Sequence, residues 1–271
     1  MQPLQGKRIA IAGPRRATEL AALITKLGGI PLVRPAQGTV VLAPDEVAPA
    51  IRRLAEQGAD WVVLTTGMGL DALEQQARAL GLWDAVLAQL RRARLAVRGY
   101  KTARAAKVCG LEPAVRDDDG TLAGLMRALE PLDLAGARVA VQLYGEPSEP
   151  LAAFLARKRA AEVYELLPYR HLPPPAEALE SLVSDVVAGR VDAVAFTSAP
   201  QVRFLFAHAR ETGRLSALQR AFREGVVAAA VGRVTAQALR DEGVERLVAP
   251  QHERMGAMVM ALAEHWTKPD S

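Results

Sequence analysis

Six short turns hold most of the residues in this chain that could do chemistry. They are Gly13-Pro14-Arg15-Arg16, Thr65-Thr66-Gly67-Met68-Gly69, Arg98-Gly99-Tyr100-Lys101-Thr102, Tyr144-Gly145-Glu146-Pro147, Thr197-Ser198-Ala199-Pro200 and Gly232-Arg233-Val234-Thr235. Each follows an apolar run and precedes a helical pattern. Glycine lets backbone approach a ligand closely, and Thr or Ser at such a place either caps the helix or donates to an anion. Helix N-termini present unpaired N–H groups that suit negative charge. The chemistry indicated is recognition of carboxylates by neutral donors and a few Arg and Lys. Capping alone explains each turn singly; only the set of six points to a ligand.

Several chemistries are missing. No turn carries a GxGxxG dinucleotide fingerprint or a GxxxxGK(S/T) phosphate loop. There is no HExxH segment and no Ser-His-Asp context. Cys109 is the only cysteine, which excludes an intrachain disulfide and a CxxC site. His171, His208, His252 and His265 are scattered without metal-ligand spacing. No metal site is expected. Catalysis in such a chain would rest on holding and folding the substrate.

The 271 residues suffice for two ordinary domains. Half of them are hydrophobic and only 4% aromatic, a composition that suits α/β layers. The net charge of +4 is dispersed, which favours an acidic small molecule over nucleic acid. No apolar run reaches the roughly 20 residues of a membrane span, and the N-terminal MQPLQGKR has no signal-peptide core. A cytoplasmic monomer without membrane or nucleic-acid partners is expected.

The elements that must position the turns repeat in fixed order. A three-part pattern beginning at Gly6, Gly58 and Arg94 recurs at Gly136, Arg190 and Val226. Two copies of a module imply a cleft between them. Strands are expected at 9–12, 61–64, 95–97, 139–143, 193–196 and 226–231, as continuous apolar runs covered on both faces. Helical patterns follow at 18–27, 70–80, 101–109, 150–160, 201–210 and 235–241, with a closing helix at 254–267. Alternating strand and helix is the pattern of a doubly wound α/β fold with parallel sheets. Pro-punctuated segments at 31–38 and 167–175 interrupt the rhythm at equivalent places and read as paired connectors. If both cross between lobes, one domain is 1–35 with 173–271 and the other is 39–168, with connectors about 35–39 and 167–174. Two sequential domains splitting near Leu134 remain the alternative.

Three segments carry a resemblance. They are Ala193-Val194-Ala195-Phe196-Thr197-Ser198-Ala199-Pro200, the run Ala230 to Leu239 with Gly243, and Pro168-Tyr169-Arg170 before a Pro-rich stretch. The chain resembles uroporphyrinogen-III synthase over essentially its whole length. The resemblance implies two flavodoxin-like lobes joined by a two-stranded linker, the active site between them, and no cofactor or metal. The implied partner is hydroxymethylbilane, a linear tetrapyrrole that loses water, inverts its last ring through a spiro intermediate and closes. Tyr169 is then the candidate proton donor to the departing hydroxyl. Arg15, Thr65, Thr66, Gly67, Gly99, Lys101, Thr102, Tyr144, Gly145, Thr197, Ser198, Gly232, Arg233 and Thr235 are the candidate substrate binders. The chain departs from the family at Gly13-Pro14-Arg15-Arg16, at Thr65-Thr66-Gly67 and at Arg233-Val234, so which arginine meets a carboxylate stays open. So does a non-catalytic two-lobed binding or sensor protein.

Overall fold

A computed structural model describes residues 2–267. The chain divides into two units: everything up to Gly38 together with Leu172 onward, and Thr39–His171. The first unit opens with β1 (Arg8–Ile11), α1 (Ala17–Lys26) and β2 (Ile30–Val33). The chain runs on through β3 (Gly38–Val41), α2 (Pro44–Gln57), β4 (Trp61–Leu64), α3 (Gly67–Ala79), α4 (Trp83–Arg92), β5 (Arg94–Val97) and α5 (Gly99–Val108). Next come β6 (Val115–Arg116), α6 (Leu122–Leu129), β7 (Arg138–Gln142), α7 (Glu149–Arg157), β8 (Glu162–Leu166) and β9 (Tyr169–Leu172). The first unit is completed by α8 (Ala176–Val187), β10 (Ala193–Phe196), α9 (Ala199–Glu211), α10 (Leu215–Glu224), β11 (Val227–Ala230), α11 (Arg233–Asp241), β12 (Leu247–Val248) and α12 (Met255–Thr267).

Each unit is built on a five-stranded, wholly parallel sheet. The first has the order β12-β11-β10-β1-β2, with Ile9 opposite Ala193 and Pro31. The second has the order β6-β5-β4-β7-β8, with Trp61 opposite Arg94 and Val139. β3 pairs with β9 in a separate ribbon. Both sheets are doubly wound. The winding direction reverses between β1 and β10 in one and between β4 and β7 in the other, the places where such sheets bind ligands.

The apolar runs are continuous because both faces of each strand are covered. Ile9 and Ile11 pack with Leu20 and Ile24 of α1 and Met258 and Leu262 of α12. The alternate residues Ala10 and Ala12 pack with α8, α9 and α11 through Val183, Phe206 and Leu239. In the second unit Val62 and Leu64 face α2, α3 and α4, while Trp61 and Val63 face α6 and α7. Each fully buried Leu or Phe of this kind contributes about 1.5–3 kcal/mol of transfer free energy.

The sequence repeat is not the spatial unit. Its first pass supplies β1 to one sheet and β4 and β5 to the other, whereas its second supplies β7 to the sheet of β4 and β10 and β11 to the sheet of β1. The expected strands and helices are present, β4 and β10 with the expected ends and the others with ends moved by no more than three residues. One expectation differs: Pro31, Leu32 and Val33 are not connector but edge strand β2. An edge tolerates Pro31 because its missing N–H faces away from the ladder.

Candidate functional site

The second unit gathers its polar side chains where β4 and β7 end. Gln142, fully buried at the end of β7, uses its side-chain carbonyl to accept the Thr66 N–H at 3.1 Å and its amide to donate to the Leu143 carbonyl. Thr65 is buried and its hydroxyl donates to the Gln142 backbone carbonyl at 2.7 Å. A Cβ on Gly69 would overlap the Gln142 side-chain nitrogen, so this glycine makes room for the glutamine. Thr66 caps α3, its Oγ1 accepting the Gly69 N–H at 2.9 Å. The same Oγ1 is 3.1 Å from the hydroxyl of Tyr169, whose side chain is fully buried. Gly67 begins α3, where a Cβ would crowd the Lys101 carbonyl at 3.3 Å.

Around Tyr169 lies an aromatic cluster. Tyr144 meets Tyr169 edge to face at 6.4 Å, and His171 meets Tyr144 at 4.7 Å and Tyr169 at 5.3 Å. Gly145 allows this packing, since a Cβ there would be 2.6 Å from the imidazole; its carbonyl also accepts the His171 N–H at 3.2 Å. The His171 Nδ1 is 3.3 Å from the Thr39 hydroxyl. Over the Tyr144 ring, 5.0 Å from its centroid, stands the guanidinium of Arg98. Burial pushes the Arg98 pKa down, against the attraction of Tyr144, Tyr169 and Asp117.

The third turn of this unit already holds an anion of its own. The buried Asp117 carboxylate accepts the Gly99 N–H at the start of α5 with one oxygen and the Gly120 N–H with the other. Gly99 has a φ of +73°, so the turn relies on a conformation that glycine tolerates. Thr102 is buried in the face of α5, whereas Lys101 is exposed beside Tyr100.

The first unit repeats the scheme with different residues. Where β1 and β10 end, the buried Gln201 side chain accepts the Thr197 N–H at 2.8 Å and donates to its Oγ1 at 3.0 Å. A Cβ on Gly13 would overlap that hydroxyl. The Ser198 hydroxyl donates to Gln37, which is also buried. At the start of α11 the Arg233 N–H donates to Glu253 at 2.8 Å, and that carboxylate lies against Gly232. Thr235 is buried, while the side chains of Arg233 and Arg15 are exposed.

Thr65, Thr66, Gly67, Tyr144, Gly145 and Tyr169 are thus brought together in one unit, with Gly99 close by on its own carboxylate. Thr197 and Ser198 share one polar network in the other unit, and Gly232 and Arg233 sit at a capped helix start. Asp117, Gln142, Gln37, Gln201 and Glu253 are partners absent from the sequence expectations, and Arg98 and His171, named there only within a turn and among the histidines, join them. Only Gln142 left a signal, as a polar residue closing an apolar run. Cys109 is half-buried near Glu74; burial and that carboxylate push its thiol up, away from nucleophilic use. Among the described residues no helix is long and apolar enough to cross a membrane, and no cluster of His, Cys, Asp or Glu is arranged to hold a metal.

The family model for uroporphyrinogen-III synthase HemD matches residues 18–260. The "Uncharacterized protein YjjA" of Bacillus subtilis (strain 168) is 49% identical over 267 residues, 98% of each chain. A crystal structure of a mutant uroporphyrinogen III synthase from the extremely thermophilic bacterium Thermus thermophilus is 40% identical, covers 97% of this chain and 100% of its own, and superposes with a TM-score of 0.83. The Helicobacter pylori 26695 uroporphyrinogen-III synthetase, 13% identical with a TM-score of 0.52 over 96% of this chain and 99% of its own, shares the fold alone. With doubly wound sheets, strand-end turns and a family match over most of its length, the chain belongs to the uroporphyrinogen-III synthase family.

Proposed function

We propose that this chain is a cyclising lyase that converts hydroxymethylbilane to uroporphyrinogen III. The reading is carried by the Tyr169 phenol at 3.1 Å from a threonine hydroxyl, at the carboxyl end of a doubly wound sheet in a chain of this family. Thr66 Oγ1 accepts the Gly69 N–H and shares a second hydrogen bond with the Tyr169 hydroxyl, which holds the phenol in place. A phenol can both accept and donate, so Tyr169 is the group assigned to protonate the departing hydroxyl. The C–O bond of the first ring's hydroxymethyl breaks, and the departing oxygen takes that proton and leaves as water. The electron-rich last pyrrole attacks the resulting azafulvene, passes through the spiro intermediate and closes inverted; the ring proton it sheds restores the phenol through solvent.

No strong catalytic base is required. Left alone, the substrate tends to close without inversion, so the protein has to favour one conformer. Each tenfold of preference requires only about 1.4 kcal/mol of differential binding. Charge-assisted hydrogen bonds to carboxylates contribute about 1.5–3 kcal/mol each, so a few donors on the strand-end turns suffice. The test is to give purified protein freshly made hydroxymethylbilane, oxidise the product and resolve isomers I and III. Predominance of isomer III is expected. Isomer I alone would leave a binding protein.

A further inference from the structure

We propose that Arg98 is a carboxylate anchor: its guanidinium takes one side-chain carboxylate of an acidic ligand on the second unit, beside a helix start whose first amide is already taken. The identity of that ligand as a tetrapyrrole rests on the function proposed above; the anchor itself does not.

At the start of α5 the Gly99 N–H is bonded to Asp117, and the second oxygen of that carboxylate is bonded to Gly120. The first N–H of the helix start, a place that would ordinarily attract an anion, is therefore taken from within. Arg98, one residue earlier, is partly buried. Among the described residues its side chain makes no hydrogen bond or ion pair, and its close contact is the Tyr144 ring at 5.0 Å.

Other partly buried arginines of the chain are matched. Arg34 pairs with Asp185 at 2.7 Å, and Arg214 pairs with Glu180. A cation–π contact contributes about 0.5–1 kcal/mol and engages only the face of the guanidinium. Its N–H edges remain to be satisfied, and a partly desolvated cation without a hydrogen-bonded ion-pair partner is unfavourable. Burial depresses the Arg98 pKa more than the attraction of Tyr144, Tyr169 and Asp117 restores it. The geometry that relieves it is a two-pronged N–H···O pair to a carboxylate, which arginine makes and lysine does not. Tyr144 holds the fork in orientation before the ligand arrives, and Tyr169 stands edge-on to the same ring at 6.4 Å.

The test uses the full chain with uroporphyrin III as the probe, followed by quenching of its fluorescence. Arg98→Gln is expected to weaken binding by at least about tenfold, the loss of one charge-assisted hydrogen bond, and Arg98→Lys by less. Arg220→Gln, which removes an exposed charge from the other unit, is expected to bind as the parent does. The thermal midpoint of Arg98→Gln is expected to equal or exceed that of the parent, because an unmatched cation is removed; a purely structural arginine would lower it. Equal affinity of the parent and Arg98→Gln, equal losses in Arg98→Gln and Arg220→Gln, or no binding by the parent overturns the anchor. A parent that binds uroporphyrin but yields only isomer I overturns the proposed reaction instead, and the anchor still stands or falls on the affinities.

Discussion

The Tyr169 hydroxyl and Thr66 Oγ1 lie 3.1 Å apart while the same threonine oxygen accepts the Gly69 N–H at 2.9 Å. One side chain therefore both starts helix α3 and orients a buried phenol. Tyr169→Phe removes the proton and leaves the ring packing, so turnover should fall by about 100-fold, the lower end of what a general acid supplies. Affinity for uroporphyrin III should change little. Isomer III formed at the parent rate would take Tyr169 out of the mechanism. Thr66→Val should lower turnover and, through the lost cap, stability by about 1 kcal/mol.

Gly69 and Gln142 occupy each other's space. In an exposed helix, Gly→Ala would be stabilising by about 1 kcal/mol. Here the new methyl would overlap a buried side chain hydrogen-bonded at both its oxygen and its nitrogen, and overpacking of about 1–3 kcal/mol wins. Gly69→Ala should unfold at lower denaturant than the parent. In a Gln142→Ala background the same change should be neutral or stabilising, with a coupling above about 1 kcal/mol in a double-mutant cycle.

Burial would raise the Asp119 carboxyl, but the Thr121 hydroxyl and N–H and the Arg127 guanidinium outweigh it and hold its pKa down to about 2. The depressed value contributes stability that is present above the ordinary carboxylate pKa of 3.8 and is lost as pH falls through about 2. Arg127 is exposed, so solvent screening reduces the contribution to about 1 kcal/mol. Denaturation followed between pH 4 and pH 2 should show a shallower decline for Asp119→Asn than for the parent. Parallel curves would contradict the pairing.

Glu253 accepts the first N–H of α11 from within the chain, as Asp117 does for α5. Glu253→Ala should cost about 1 kcal/mol as a lost cap, which for a chain of this size lowers the melting midpoint by about 2–4 °C. Scanning calorimetry measures it. An unchanged midpoint would mean that the Arg233 N–H is served equally well by water.

Residue order alone determined the fold class, the positions of the apolar strands and the places where turns meet helix starts. Strands such as Val62-Val63-Leu64 carry that information locally, because a strand covered on both faces must be apolar at every position. Several helices between strands, including α2 with Pro49 inside it and α10, were not legible, and Pro31 disguised an edge strand as a connector. Tertiary structure decided which side chains meet. Gln142 reaches Thr66 across 76 positions, Tyr169 reaches it across 103, and Arg98 after β5 finds the Tyr144 ring after β7, with β4 between the two strands. It also decided that Asp117 and Glu253, not a ligand, satisfy the first amides of α5 and α11. Local patterning follows from which faces a segment buries, whereas partners distant in sequence are chosen only when the crossovers bring strand ends side by side.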